Sequence, residues 1–302
     1  MAVIGMILHH ERPQAAELAR DATAWLSERG HEARLPERDA GIAGLVSHGC
    51  AEETFGRGLD LAVSIGGDGT MLRTVDLVAQ DGVPVVGINV GQLGYLTEIE
   101  PAGMRMALKR FLAGSYVIEE RMLLQVTVDA PNFEARAEPG VSQPATMSRS
   151  SDGRSFVALN EAVLEKTPMG HTVRLGVNID GETFTPYAAD GLIVATPTGS
   201  TAYAFSARGP IVEPTHRCLL MTPVSPHMLF DRSLVLAPSA RVRVEVLGDR
   251  SATLSVDGNN LGTLRRSDAV TCTASSLSAR FVTFGPRDFL RILKAKFGLT
   301  DR

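Results

Sequence analysis

The chain has 302 residues, with 30 Lys+Arg against 34 Asp+Glu and a formal net charge of −4. That balance excludes a protein that grips nucleic acid by bulk charge, and a chain this long buries a core without a disulfide or metal staple. Cys50, Cys218 and Cys272 stand far apart with no Cys-x-x-Cys spacing, which argues against a zinc ribbon or redox dithiol and fits a cytoplasmic setting. No apolar run approaches the roughly 20 residues that span a bilayer, so no membrane role is expected.

Up to about residue 120 strands and helices alternate. The run AVIGMIL (2–8) is continuously apolar, as a strand buried on both faces would be, and it lacks the flanks of a signal peptide. Residues 13–29 place Ala16, Leu18, Ala19, Ala22, Trp25 and Leu26 at helical spacing, with Gly30 as a stop. LDLAVSIGG (59–67) predicts a second strand, TMLRTVDLVAQ (70–80) a helix and VPVVGINV (83–90) a third strand; this is a βαβ unit with parallel strands. Residues 101–114 form another helix, ended by Gly114.

From about residue 121 the period becomes two. Val242 to Val246 alternates strictly, and LLQVTV, TVRLGVNI, ATLSV, AVTCTA and ARFVTF behave alike. Asp180-Gly181 and Asp257-Gly258 stand where hairpin turns belong. The Pro-, Ser- and Gly-rich stretch 131–155 reads as a long loop inserted in a hairpin. RDFLRILKAKF (287–297) is a basic amphipathic helix, expected to dock through Phe289, Ile292, Leu293 and Phe297. The expected fold class is an α/β N-terminal domain, a Rossmann-like parallel sheet over 1–120, followed by an antiparallel all-β domain over 121–284. The helix within 285–302 is expected to return to the first domain.

Three stretches carry candidate chemistry. Gly66-Gly67-Asp68-Gly69-Thr70 lies between an apolar strand and a helix, where glycines let the backbone approach a ligand and the helix start offers free N–H groups to phosphate. It is neither a full dinucleotide fingerprint, because Leu72 replaces the last Gly or Ala, nor a P-loop. An acid inside such a turn opposes an anion, so Asp68 either caps the helix, accepts a proton or holds a cation. Asn160-Glu161 interrupts an apolar strand with an amide and a carboxylate, which suits ribose hydroxyls or a solvated strand-end bulge. In 190–210 an apolar strand enters a turn crowded with Thr196, Thr198, Ser200 and Thr201, and a short helix with Tyr203 follows, with Gly209 as its stop. No His-Glu-x-x-His occurs, and no residue is assigned as a metal ligand.

These stretches, in this order from about residue 59 to 285, resemble the NAD kinase family. The turn 66–70, the stretch Gly87 to Glu98, Leu159-Asn160-Glu161, residues 190–212, Pro226-His227 and Ser255 to Gly258 carry the likeness. The resemblance implies phosphoryl transfer from ATP, or polyphosphate, to the adenosine 2′-hydroxyl of NAD, with Asp68 as the base and Mg²⁺ as the accompanying divalent ion. It implies contacts to the substrates from Gly67, Asp68, Gly69, Arg73, Asn160, Glu161, His171, Asp190 and Thr198. Thr201, Ala202, Tyr203 and Ser206 at the adenine pocket, and Asp257 and Asn259 beyond, complete that set. It also implies a homo-oligomer, dimer or tetramer, whose partners are small molecules rather than nucleic acid or membrane. Two departures stand out: Ala188 where the family often has Arg or Lys, and Arg208 where it commonly has Gly. A lipid kinase shares only the first signature, and a dinucleotide sensor without turnover is the non-enzymatic alternative.

Overall fold

The computed structural model describes every residue except 92–93, 98, 132, 134–153, 168–170, 286–288 and 300–302. Most of the expected loop 131–155, and Glu98 of the 87–98 stretch, lie outside the described residues. The chain divides into one unit of Met1–Glu120 with Ala279–Arg302 and another of Arg121–Ser278.

The first unit begins with β1 (Val3–Leu8), α1 (Pro13–Ser27), β2 (Glu32–Pro36), α2 (Glu37–Ala43) and β3 (Gly49–Cys50). It continues with β4 (Leu61–Gly66), α3 (Asp68–Val78), β5 (Val85–Asn89) and α4 (Met104–Leu112). The strands run parallel in the order β3-β2-β1-β4-β5, the doubly wound arrangement. Apolar runs on both faces of β1 and β4 make this possible: α1 buries Ala15, Ala19, Ala22 and Leu26 against a core that includes Ile4, Met6, Val63 and Ile65. Each large aliphatic chain so buried contributes about 1.5–3 kcal/mol. Helix α3 starts two residues before the expected Thr70, which puts Asp68 at its first position. The segment β2–α2–β3 was not anticipated; its elements are short and charged, and packing rather than periodicity defines them.

The second unit holds β6 (Val117–Asp129), β7 (Ser155–Ala158), β8 (Glu161–Lys166), β9 (Val173–Ile179), β10 (Glu182–Ala189) and β11 (Gly191–Ala195). The four-residue helix α5 (Tyr203–Ser206) follows, then β12 (Leu219–Val224), β13 (Leu234–Leu236), β14 (Val242–Val246), β15 (Ala252–Val256), β16 (Asn259–Leu264) and β17 (Ala269–Thr283). Within the unit, β10-β9-β14-β17 form one antiparallel sheet and β13-β12-β11-β8-β15-β16 another. They share a core in which Leu175, Val177 and Val244 meet Leu164, Leu192 and Leu254. Both Asp-Gly pairs make tight hairpin turns with left-handed backbones, Asp180 and Asp257 at φ 54° and 47°. The apolar run 156–166 proves to be two strands: β7 and β8 belong to different sheets, and the chain changes sheet at Leu159-Asn160. AVTCTA and ARFVTF are conversely one strand, β17, whose residues from Ala279 onward belong to the first unit, where Phe281 pairs in parallel with Val85.

The C-terminal helix α6 (Phe289–Phe297) belongs to the first unit but docks more lightly than expected. None of its residues is fully buried, Leu290 and Phe297 are 68% and 41% exposed, and Lys296 lies over the Tyr95 ring at 4.9 Å.

Candidate functional site

The parallel register aligns three chain ends at the carboxyl edge of the first sheet. Leu8 pairs with Ile65 and Gly66 with Asn89, so the residues after β1, β4 and β5 emerge side by side. His9 N–H donates to the Ile65 carbonyl at 2.9 Å, and Val90 N–H to the Gly66 carbonyl at 3.0 Å. The glycine turn therefore lies between the β1 and β5 exits. A Cβ on Gly66 would overlap Thr70, whereas one on Gly67 or Gly69 would meet no described residue within 4 Å. Gly66 thus closes the turn on the helix, and Gly67 and Gly69 leave its outer face open to a ligand.

Asp68 is gripped by the chain that follows β5. Its carboxylate accepts Tyr95 N–H at 2.8 Å and Leu96 N–H at 2.9 Å, and the missing side chain of Gly94 makes room for it. Two amides fix both oxygens in direction and leave each a further lone-pair site. Tyr95 and Leu96 lie in the quoted 87–98 stretch, but sequence reading gave them no role, because a backbone N–H leaves no signature.

Arg73 is not held toward the turn. Its Nη1 donates to both oxygens of Asp39 at 3.0 Å and its Nη2 to Glu52 at 2.7 Å, while His10 Nε2 lies 2.7 Å from Asp39. Asp39 is fully buried and also accepts Leu8 N–H at 3.0 Å. This cluster around the buried Asp39 ties β1, α2 and α3 together, and the substrate contact expected of Arg73 did not foresee it.

In the second unit, Asp257 organises the corner where the chain changes sheet. Its carboxylate accepts the N–H groups of Leu159, Asn160 and Glu161 at 2.7, 2.8 and 3.0 Å. Burial raises it to about 6 while the three amides pull it down. It is occupied as a clasp for Asn160-Glu161. Glu161 is 6% exposed; burial, with the Asp257 charge adding, pushes its carboxyl up to about 8, and the Tyr203 N–H opposes this. Its Oε2 is buried without a hydrogen-bond partner among the described residues. A carboxyl in that state is a neutral acid at pH 7, able to donate as well as accept.

The hydroxyl-rich turn folds onto the same corner. Thr196 Oγ1 donates to the Leu159 carbonyl at 2.5 Å, and a Cβ on Gly199 would overlap the Asn160 peptide. Ser200 Oγ binds both the N–H and carbonyl of Val212, at 3.0 and 3.1 Å. Thr201 Oγ1 donates to the Thr198 carbonyl at 3.3 Å, and the buried Thr198 Oγ1 has no partner among the described residues. Tyr203, 37% exposed, and the exposed Ser206 follow Ala202 on α5. The helix stop is not Gly209 as expected: Arg208 takes the left-handed position at φ 64°, and Gly209 instead packs against the Ala204 carbonyl.

Asp190 pairs with Lys166 at 2.8 Å, so a cation stands beside it even though position 188 is alanine. His171 is exposed, Asn259 sits half-buried at the start of β16, and neither has a side-chain hydrogen bond or ion pair among the described residues. Among the described residues no three His, Cys, Asp or Glu gather as a metal site. No helix of the described residues is long and apolar enough to cross a membrane.

Comparison with known proteins gives a consistent picture. Residues 4–116 match the model of the ATP-NAD kinase N-terminal domain and residues 159–284 that of the ATP-NAD kinase C-terminal domain. The chain is 40% identical to an NAD kinase of Heliobacterium modesticaldum, covering 98% of both chains. It is 37% identical to NAD kinase 1 of Streptomyces avermitilis, over 99% of this chain and 87% of that one. Among solved structures, yeast NADH kinase complexed with NADH superposes with a TM-score of 0.85 at 24% identity, over 100% of this chain and 89% of that one. An Archaeoglobus fulgidus NAD kinase in complex with ATP gives 0.70 at 23% identity, over 98% of each. At these identities the two structures speak for the fold.

Proposed function

The chain belongs to the ATP-NAD kinase family, and from that premise we propose that it transfers the γ-phosphoryl group of ATP to the adenosine 2′-hydroxyl of NAD, with Asp68 as general base. The hydroxyl oxygen attacks the γ-phosphorus, the bond to the β–γ bridging oxygen breaks, ADP leaves, and the hydroxyl proton passes to Asp68. The observation that carries this reading is the placement of Asp68. It is the first residue of α3, flanked by Gly67 and Gly69 whose outer faces are open, and two amides orient its carboxylate. A ribose hydroxyl is a poor nucleophile near neutrality, and a positioned base contributes about 10²–10⁴-fold. The remaining acceleration comes from alignment and charge neutralisation. The divalent ion arrives on ATP, as part of that substrate.

In the same reading Asn160 and the protonated Glu161 hold ribose hydroxyls, and Asp257 keeps that corner rigid. Tyr203 offers its half-exposed ring to adenine, with Thr198, Thr201, Ala202 and Ser206 around it. Asp190, His171 and Asn259 complete the dinucleotide contacts, and Arg73 acts from its buried cluster by fixing α3. Assembly into a homo-oligomer is part of the proposal. It is supported by the exposed Phe184–Phe230 edge-to-face pair, centroids 5.6 Å apart, beside the fully exposed Leu229; sedimentation velocity reads it directly. An end-point assay of NADP formation, with ATP and polyphosphate as donors and NAD and NADH as acceptors, tests the activity. Formation of NADP from NAD and ATP supports the reading, and its absence with a folded protein refutes it.

A further inference from the structure

We infer that Arg12 is a donor-binding residue: its guanidinium takes the anionic oxygens of the donor's polyphosphate chain at the mouth of the glycine turn. The inference deepens the kinase reading above and rests on it. β1 and β4 are neighbours from which the chain departs in opposite directions, β2 and β3 lying on one side and β5 on the other. Ligands of doubly wound sheets bind in the crevice outside the carboxyl ends at such a reversal. The glycine turn forms one wall of that crevice, and residues 9–12, leaving β1, form the other.

Arg12 reaches across it. Its guanidinium rests on the main chain of Gly91, two residues beyond β5, where φ is 131° and a Cβ would overlap Nη1. Gly91 follows Val90, which is bonded to the Gly66 carbonyl, and Gly66 faces His9 on its other side, where a Cβ would lie 3.1 Å from the His9 Cβ. The side chain thus reaches from the β1 exit on one flank of the turn to the β5 exit on the other.

It is also uncommitted. Arg12 is exposed, and its guanidinium makes no hydrogen bond or ion pair with any described residue, its neighbour Glu11 included; only its main chain is bonded, to His9 and Ala15. The first turn of α1 carries no acid. Arg73, expected to contact the substrates, has both terminal nitrogens engaged by Asp39 and Glu52. A planar guanidinium matches paired phosphate oxygens, and charge-assisted bonds of this kind are about twice as strong as neutral ones. An arginine that rests on the Gly91 main chain, its guanidinium bonded to no described residue, is poised for that contact.

The test compares wild type with Arg12→Ala, Arg12→Lys and Gly91→Ala. It uses steady-state kinetics and calorimetric binding of the magnesium salt of the non-hydrolysable β,γ-imido analogue of ATP. Arg12→Ala is expected to raise KM for ATP and Kd for the analogue by about 10- to 100-fold, with KM for NAD within about twofold. Arg12→Lys recovers part of the loss, and Gly91→Ala reproduces it by displacing the guanidinium. Tm stays unchanged in Arg12→Ala, because the side chain is exposed and unbonded. A donor KM and Kd within about twofold of wild type overturn the inference, as does a rise confined to KM for NAD, which places Arg12 on the dinucleotide instead. If wild type makes no NADP, the kinase reading fails, and the Kd ratio alone decides Arg12: tenfold weakening sustains it and a ratio near one overturns it.

Discussion

Replacing Glu161 with glutamine removes the part of the fall in stability with rising pH that Glu161 causes. In the native state burial and the Asp257 charge raise the Glu161 carboxyl from 4.5 to about 8. The folded protein therefore binds a proton that the unfolded chain has released. A group whose folded pKa is raised contributes stability that is complete below the unfolded value, here 4.5, and is lost as pH climbs through about 8. At about 1.36 kcal/mol per pH unit, that gap is worth on the order of 4–5 kcal/mol. Glutamine keeps the shape and an acceptor for the Tyr203 N–H, and never ionises. At pH 5 the two proteins should unfold alike; at pH 9 the variant should be the more stable by several kcal/mol. With about 2–4 °C of Tm per kcal/mol for a unit of this size, the separation is roughly 10 °C. Differential scanning calorimetry from pH 5 to 9 measures it. Parallel Tm–pH curves for the two proteins refute the reasoning, since they mean that Glu161 is ionised in the folded state or solvated.

Three other outcomes follow from the same structure. Because Glu161 is neutral at pH 7 in this account, Glu161→Gln should keep KM for NAD within a few-fold of wild type, whereas Glu161→Ala should raise it at least about tenfold; initial-rate kinetics separate the two. Arg208→Gly should stabilise the chain by about 0.5–1 kcal/mol, because the left-handed backbone at φ 64° costs an L-residue and not glycine; urea unfolding reads the gain. Asp39→Ala strands Arg73 and His10 without their buried acceptor and should cost about 3–5 kcal/mol, seen as a fall in the urea midpoint.

What could be read from the residues was what repeats or clusters. The unbroken apolar runs of β1 and β4, the glycines at 66, 67 and 69 and the Asp-Gly turns each follow from local chemistry, and they located the carboxyl edge of the first sheet. What could not be read was who holds whom. Asp39 and Glu52 reach Arg73 across 34 and 21 residues from short elements with no periodicity of their own. Asp257 reaches Asn160 across 97 residues, so a residue that reads as a ligand contact turns out to be a clasp on backbone amides. Asp68 meets two peptide N–H groups that any residue type would supply. Gly209 misled for a related reason: glycine allows a left-handed stop, but the space beside the Ala204 carbonyl decided that it be used for close packing, and the strained turn fell to Arg208.

The central claim is that Asp68 accepts the proton of the attacking hydroxyl. Asparagine at this position keeps the size and one acceptor oxygen but cannot take a proton. Single-turnover formation of NADP by Asp68→Asn, at saturating ATP and NAD, isolates the chemical step, with calorimetry on the same protein giving Kd for NAD. The account predicts a rate lower by about 10²–10⁴-fold with Kd for NAD within about threefold of wild type. A single-turnover rate equal to wild type contradicts it and leaves Asp68 as the anchor of the Gly94–Leu96 segment alone.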